Sequence, residues 1–254
     1  TTSTSNSMIS HILLDIEGTT CPVSFVTDTL FPYAKSELSN YLEHHQSDPS
    51  ICELINNAEA EWINDKDKAS IRLRQELKES KQPKHLKIGA YLQLLISSDK
   101  KSTALKDIQG KIWKAGYTTG SITSEIFEDA HENLKKWHKK GYKLAVYSSG
   151  SIEAQRLLYK YTNRGDIEYL FSHWFDTHIG NKKKQSSYTT IALTMTCNPN
   201  NILFISDNND ECDAAKDAGF VTLYSLREGN PQMEPREHPV VSNLANVEKW
   251  LNPK

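Results

Sequence analysis

Four short apolar runs punctuate the chain, and each stops abruptly at small or acidic residues. The first, at 9–15, carries Ile12, Leu13 and Leu14 and ends on Asp15, shortly before Gly18. The second, at 143–148, places Leu144, Ala145, Val146 and Tyr147 ahead of Ser148, Ser149 and Gly150. A third at 202–206 ends at Asp207, and a fourth covers 220–224. Runs this short, without polar alternation, predict strands buried on both faces, as in a parallel sheet. Helical spacing occupies 128–140, 152–159, 187–195 and 210–218 around them. This alternation predicts an α/β fold, a doubly wound parallel sheet with helices on both faces.

The stretch 27–118 breaks the alternation. Leu30, Tyr33, Ala34, Leu38 and Tyr41 share one helical face, while Ile51, Leu54, Ile55, Ala58 and Trp62 share another. Tyr91, Leu92, Leu94 and Leu95 begin a third, and Asp48-Pro49, positions 64–68 and Gln82-Pro83 end or separate these helices. The predicted organisation is therefore a disordered leader at 1–8, an α/β core built from 9–26 and 119–254, and a helical insertion at 27–118. Trp62, Tyr91 and Trp113 are read as core of that insertion.

Composition narrows the function classes. A formal net charge of −2 over 254 residues argues against nucleic acid as a partner, because phosphate-backbone binding needs a dense excess of Lys and Arg. No apolar run approaches the roughly 18 residues that span a bilayer, so no membrane partner is expected. Cys21, Cys52, Cys197 and Cys212 form no C-x-x-C pair, which predicts neither a zinc site nor a disulfide framework and points to a reduced, cytosolic compartment.

In an open parallel sheet, ligands bind beyond the carboxyl ends of the strands, so the residues ending each run are the candidates for chemistry. Asp15 and Glu17 leave a buried strand together, where a carboxylate is costly unless it meets a metal, a donor or water. Asp15 suits attack on phosphorus, forming an aspartyl-phosphate that water later hydrolyses, and Glu17 suits general acid-base work in both steps. Because a carboxylate and a phosphate dianion repel, a cation must bridge them. Mg²⁺ held by Asp15 and Asp207 is the economical solution. Ser148 and Ser149 offer hydroxyls and amides to phosphoryl oxygens at a helix start, although Ser-Ser-Gly is also a common turn. A fixed positive charge is available from Lys182, Lys183 or Lys184, among which composition does not choose. Asp210 and Asp213 are read as helix capping and dipole complementation, with Glu211 left between that role and orienting the metal's water shell. His44-His45 is read as an exposed helix end, and His173 and His178 as bystanders near the lysine loop.

The order acid pair, serine, lysine, aspartate resembles the four motifs of the haloacid dehalogenase superfamily with its Rossmann-type core. The segments L-L-D-I-E-G-T-T-C-P-V-S-F-V, L-F-P-Y-A, V-Y-S-S-G-S, F-D-T-H-I-G-N-K and I-L-F-I-S-D are similar to those of the enolase-phosphatases of methionine salvage, over 11–224. Glu rather than Asp at position 17 is the discriminating detail. The resemblance implies that Asp15, Glu17 and Asp207 serve one Mg²⁺, with Glu17 contributing through its backbone carbonyl. It selects Lys182 through I-G-x-K, assigns Ser148, Ser149 and Lys182 to substrate, and makes the insertion a cap. The reaction implied is enolisation and dephosphorylation of 2,3-diketo-5-methylthiopentyl-1-phosphate by a monomer in the cytoplasm, with a nuclear pool as well. The residues after Asp207 depart from the family pattern. The alternative is a phosphatase of the same superfamily acting on another small ester such as a sugar phosphate. A dehalogenase has no use for Glu17 or Mg²⁺, and a phospho-switch would carry its acid pair and acceptor on separate strands of a shorter chain.

Overall fold

A computed structural model describes residues 8–251. The expected leader lies outside the described residues except for Met8, which is exposed and whose carbonyl accepts from Asn201 Nδ2 at 2.6 Å. The chain forms two compact units, residues through Thr27 with Thr123 onward, and Asp28–Ile122. The second division falls beyond 118 because the chain turns back after its last helix, the Ile122 amide reaching the Gly116 carbonyl at 3.2 Å.

Strand β1 (His11–Leu14) leads into a short helix α1 (Val23–Phe25) and a π-helical turn at Val26–Leu30. The helical unit then holds α2 (Phe31–His45), α3 (Pro49–Ile63), α4 (Lys68–Leu77), α5 (Lys84–Ser97) and α6 (Thr103–Thr118). Helices α2 and α3 each pack on both α5 and α6, and α4 rests on α3 and α5. Trp62 stacks on Tyr91 at 4.8 Å between centroids, and the Trp113 indole donates to the Leu30 carbonyl at 2.8 Å, so all three aromatic residues are interior. Helix α4 escapes the sequence reading because it buries only Ser70 and so carries no apolar stripe. Its start is set by Asp67, whose carboxylate accepts from the Ala69 amide at 3.0 Å.

The first unit resumes with α7 (Glu128–Lys139), β2 (Lys143–Tyr147), α8 (Ile152–Lys160), β3 (Phe171–Phe175) and α9 (Gln185–Thr194). It ends with β4 (Ile202–Ser206), α10 (Asn209–Asp217), β5 (Val221–Ser225), β6 (Val240–Val241) and α11 (Glu248–Leu251). All pairings are parallel, in the order β3-β2-β1-β4-β5-β6. Ile12, Leu13 and Leu14 are fully buried, as are Leu203, Phe204 and Ile205 beside them. Each such side chain contributes on the order of 1.5–3 kcal/mol by leaving water, which is why these strands read so clearly as apolar runs. Strands β3 and β6 do not. β3 is an edge with exposed Ser172 and a register shift against β2, and β6 spans two residues.

This strand order reverses direction at β1, whose neighbours are β2 on one side and β4 on the other. A crevice opens at the carboxyl ends of the strands flanking such a switch point. Asp15 and Asp207 stand at that crevice.

Candidate active site

The chain leaves β1 through a tight loop. Asp15 stays on the sheet through its amide, which donates to the Ile205 carbonyl at 3.0 Å, and then the amides of Thr19, Thr20 and Cys21 all converge on the Ile16 carbonyl. Gly18 adopts φ +76°, and a side-chain carbon there would lie 2.4 Å from Asp207 Oδ2. Glycine is therefore required for conformation and for space. The Gly18 amide donates to the Cys21 carbonyl at 2.7 Å, which turns the Glu17 carbonyl the opposite way across the same planar peptide.

Lys182 reaches this loop from the segment after β3. Its ammonium meets Asp15 Oδ1 at 2.8 Å and Glu211 Oε1 at 2.8 Å, with about a tenth of each side chain exposed. The approach is built by neighbours. The Tyr188 hydroxyl donates to the Lys182 carbonyl at 2.5 Å, Ser187 Oγ to the Asn181 carbonyl at 2.6 Å, and Tyr147 to the Gly180 carbonyl at 2.6 Å. Gly180, at φ +142°, has Ser187 Oγ where a Cβ would stand. Lys183 and Lys184 are exposed, so only the first lysine of the run faces the acids. Burial opposes the Lys182 charge, but Asp15 and then Glu211 outweigh it and hold the ammonium protonated far above its usual range.

Glu211 takes the ammonium and the Ser206 hydroxyl, at 3.1 Å, so its side chain serves Lys182. The cap of α10 is Asn208, whose side chain accepts from the Glu211 amide at 3.1 Å. Asp210 and Asp213 have a different use from capping: both pair with Arg236, and Asp213 also meets His238 Nε2 at 2.7 Å. His238 is buried and bridges to Thr222 Oγ1 at 2.6 Å, fastening the C-terminal segment over α10 and β5.

Ser148 and Ser149 follow β2, Ser148 half-buried and Ser149 exposed. Their loop is held by Gln155 of α8, whose buried Nε2 donates to the Gly150 carbonyl at 2.8 Å and to the Phe175 carbonyl at 2.9 Å. Sequence reasoning missed Gln155, because its partners are main-chain carbonyls that leave no pattern of residue types. It also missed the grip on the loop after β1 by residues after β5. Ser225 Oγ donates to the Gly18 carbonyl at 2.7 Å, and Arg227 Nε to the Thr19 carbonyl at 3.0 Å. Arg227 is itself clamped by both oxygens of Asp129, at 3.0 and 2.6 Å. Neither His173 nor His178 joins the site. His178 is exposed on Asp176, and His173 lies on the edge strand β3.

The electrostatics suit a divalent cation. Burial, and then the Asp15 charge and a hydrogen bond with it, push Asp207 up to about 9, while burial and Asp15 push Glu17 up to about 7. Two carboxyl groups in such contact cannot both ionise cheaply unless something positive replaces the shared proton. Among the described residues no group of three or more His, Cys, Asp or Glu side chains is disposed as a metal cage. The available donors are Asp15, Asp207 and the Glu17 carbonyl, which accepts no hydrogen bond among the described residues. A sparse all-oxygen set that leaves room for water and phosphate fits Mg²⁺.

The raised acids make a prediction with a definite sign. Glu17 and Asp207 bind protons more tightly folded than unfolded, so their contribution is fully present below the ordinary carboxylate range and is lost as pH rises through about 7 and then about 9. Chelator-treated protein is expected to melt at a lower temperature near about pH 8.5 than near about pH 5.5, with added Mg²⁺ restoring most at the higher pH and Asp207→Asn flattening the difference. An identical slope in the chelated wild type and Asp207→Asn would contradict the crowding.

Residues 9–219 match the haloacid dehalogenase-like hydrolase family. The enolase-phosphatase E1 of Synechococcus sp. (strain CC9902) is 73% identical over 244 residues, covering 96% of this chain and 100% of that protein. The enolase-phosphatase E1 of Aquifex aeolicus (strain VF5) is 41% identical, covering 87% of this chain and 92% of that protein. In structure, the crystallised UTR4 protein of Saccharomyces cerevisiae aligns with a TM-score of 0.74 at 29% identity, covering 92% of this chain and 98% of that one. No helix among the described residues is long and apolar enough to cross a membrane. Matched along nearly its whole length by these relatives, this protein belongs to the haloacid dehalogenase-like hydrolases and, within them, to the enolase-phosphatase E1 family.

Proposed function

We propose that the chain is a Mg²⁺-dependent enolase-phosphatase of methionine salvage. It enolises 2,3-diketo-5-methylthiopentyl-1-phosphate and removes the phosphate, giving 1,2-dihydroxy-3-keto-5-methylthiopentene. The name carried by relatives at 41% and 73% identity supports this substrate. The observation that carries the chemistry is the buried contact of Asp15 with Lys182 at the end of β1, where burial and the Asp15 charge also push Asp207 up.

Asp15 attacks phosphorus, and the bond from phosphorus to the ester oxygen breaks as an aspartyl-phosphate forms. Glu17, pushed up to about 7 chiefly by burial, holds a proton in a large fraction of molecules near neutrality and delivers it to the departing oxygen. It then takes a proton from the water whose oxygen displaces Asp15 from phosphorus. Lys182 keeps its charge throughout and faces the phosphoryl oxygens, with Ser148 and Ser149 binding the others where α8 begins. One Mg²⁺, held by Asp15, Asp207 and the Glu17 carbonyl, offsets the repulsion between carboxylate and phosphate when bound. We take the helical unit as the family's cap domain, and the protein as a monomer acting in the cytoplasm, a compartment that suits its four free cysteines.

The test is one Mg²⁺-dependent time course on the diketo phosphate, following diketone loss and phosphate release together. Matched loss and release is the expected result. Release from other esters of a phosphate panel, sugar phosphates included, but not from this compound would overturn the substrate while leaving a phosphatase.

A further inference from the structure

Asn230 lies five residues beyond β5, in the segment that the motif reading treats as tail. Its side-chain nitrogen sits 3.0 Å from the Gly18 carbonyl oxygen and 3.2 Å from the Ser225 carbonyl oxygen. Carbonyl oxygens only accept, so the amide NH₂ must face them, and the orientation of the carboxamide is settled by its partners. The other end, Oδ1, is thereby turned toward the space above Gly18. A carbon built on Gly18 would meet Asn230 Oδ1 at 2.6 Å and Asp207 Oδ2 at 2.4 Å. Asn230 Oδ1 and Asp207 Oδ2 therefore flank one small space beside the strand-end acids, and Oδ1 accepts no hydrogen bond among the described residues. Once a cation replaces the carboxyl proton of Asp207, both oxygens are acceptors, and a cation or a water molecule is what such a pair can share.

The same residue holds the loop. With Ser225 Oγ at 2.7 Å, the Gly18 carbonyl receives two hydrogen bonds, which fill both of its lone pairs and fix the peptide following Glu17-Gly18. That peptide neighbours the Glu17 carbonyl, one of the donors assigned to the cation.

We propose that Asn230 is a positioning residue of the cation site: its NH₂ fastens the Gly18 peptide, and its Oδ1 accepts from a water in the cation's shell next to Asp207. The assignment rests on the Mg²⁺ reading given above. Outer partners of this kind typically change metal affinity about 10- to 100-fold when removed.

Calorimetric titration of the resting full chain with Mg²⁺, without substrate, tests it. Asn230→Ala is expected to bind Mg²⁺ about 10- to 100-fold more weakly than wild type. Ser225→Ala, which removes a bond to Gly18 but leaves Oδ1 in place, is expected to lose clearly less. Asn230→Ser, which withdraws the oxygen while keeping a small polar group, serves as the second variant should the alanine protein fold poorly, with the same weakening expected. Wild-type affinity in both Asn230 variants overturns the assignment while leaving the Mg²⁺ reading intact. Equal losses in Ser225→Ala and Asn230→Ala overturn the role of Oδ1, since loop fastening would then account for everything. Absence of Mg²⁺ binding by the wild type overturns both readings.

Discussion

Replacing Asp15 with asparagine is expected to lower kcat by about 10⁴-fold or more, because the phosphoryl group then has no covalent acceptor and only positioning remains. The fold should survive. Asparagine fills the same volume, Lys182 keeps Glu211 at 2.8 Å, and the neutral amide relieves the charge that helps push Asp207 up to about 9. Unfolding in urea should accordingly show stability no lower than wild type near neutral pH, and rapid-quench mass spectrometry should show a phosphoryl adduct on Asp15 in wild type alone. Wild-type turnover in Asp15→Asn, or an adduct elsewhere, would remove Asp15 as nucleophile.

Lys182→Met should damage both stability and rate. Lys182 is the one cation in contact with both Asp15 and Glu211 among the described residues, and all three side chains are largely buried. Removing one partner from a buried ionic cluster typically costs about 3–5 kcal/mol, since the carboxylates left behind must stay charged without compensation or take up protons. The loss should therefore be larger at high pH than at low pH, where the acids are neutral. Activity should fall by about 10²- to 10³-fold, the usual consequence of deleting a preorganised charge at a reacting oxyanion. Lys183→Met is the control. That side chain is exposed, its nearest acid is Asp210 at 3.9 Å, and surface changes of this type usually stay within about 0.5 kcal/mol. If the two variants behaved alike in urea and in turnover, the selection of Lys182 from its run would be wrong.

That selection, which the I-G-x-K resemblance makes and residue type alone does not, shows where the reading of apolar and charged pattern stops. The strands β1, β2, β4 and β5 were legible because burial on both faces demands unbroken apolar runs, and Asp15, Ser148 and Asp207 stood out as polar residues ending them. Helix α10 was legible as a helix, but its cap was not: Asp210 and Asn208 are both good capping residues, and backbone direction decides for Asn208. The edge strand β3 and the two-residue β6 lacked the signal because an edge is exposed and β6 is too short to show a period.

The chain's own pattern of apolar runs and strand-end acids thus determined the doubly wound sheet and singled out Asp15 and Asp207 as the acids that end its strands. Those features follow from desolvation, which acts on every residue and leaves a period in the sequence. Only the tertiary structure decided that Lys182 faces Asp15, that Glu211 serves the lysine, and that Ser225, Arg227 and Asn230 grip the carbonyls of Gly18 and Thr19. These contacts join segments as far as 212 positions apart, and most of them end on main-chain oxygens that every residue type provides. A hydrogen bond to a backbone carbonyl restricts where a chain must pass but not which residue stands there, so no pattern of residue types records it.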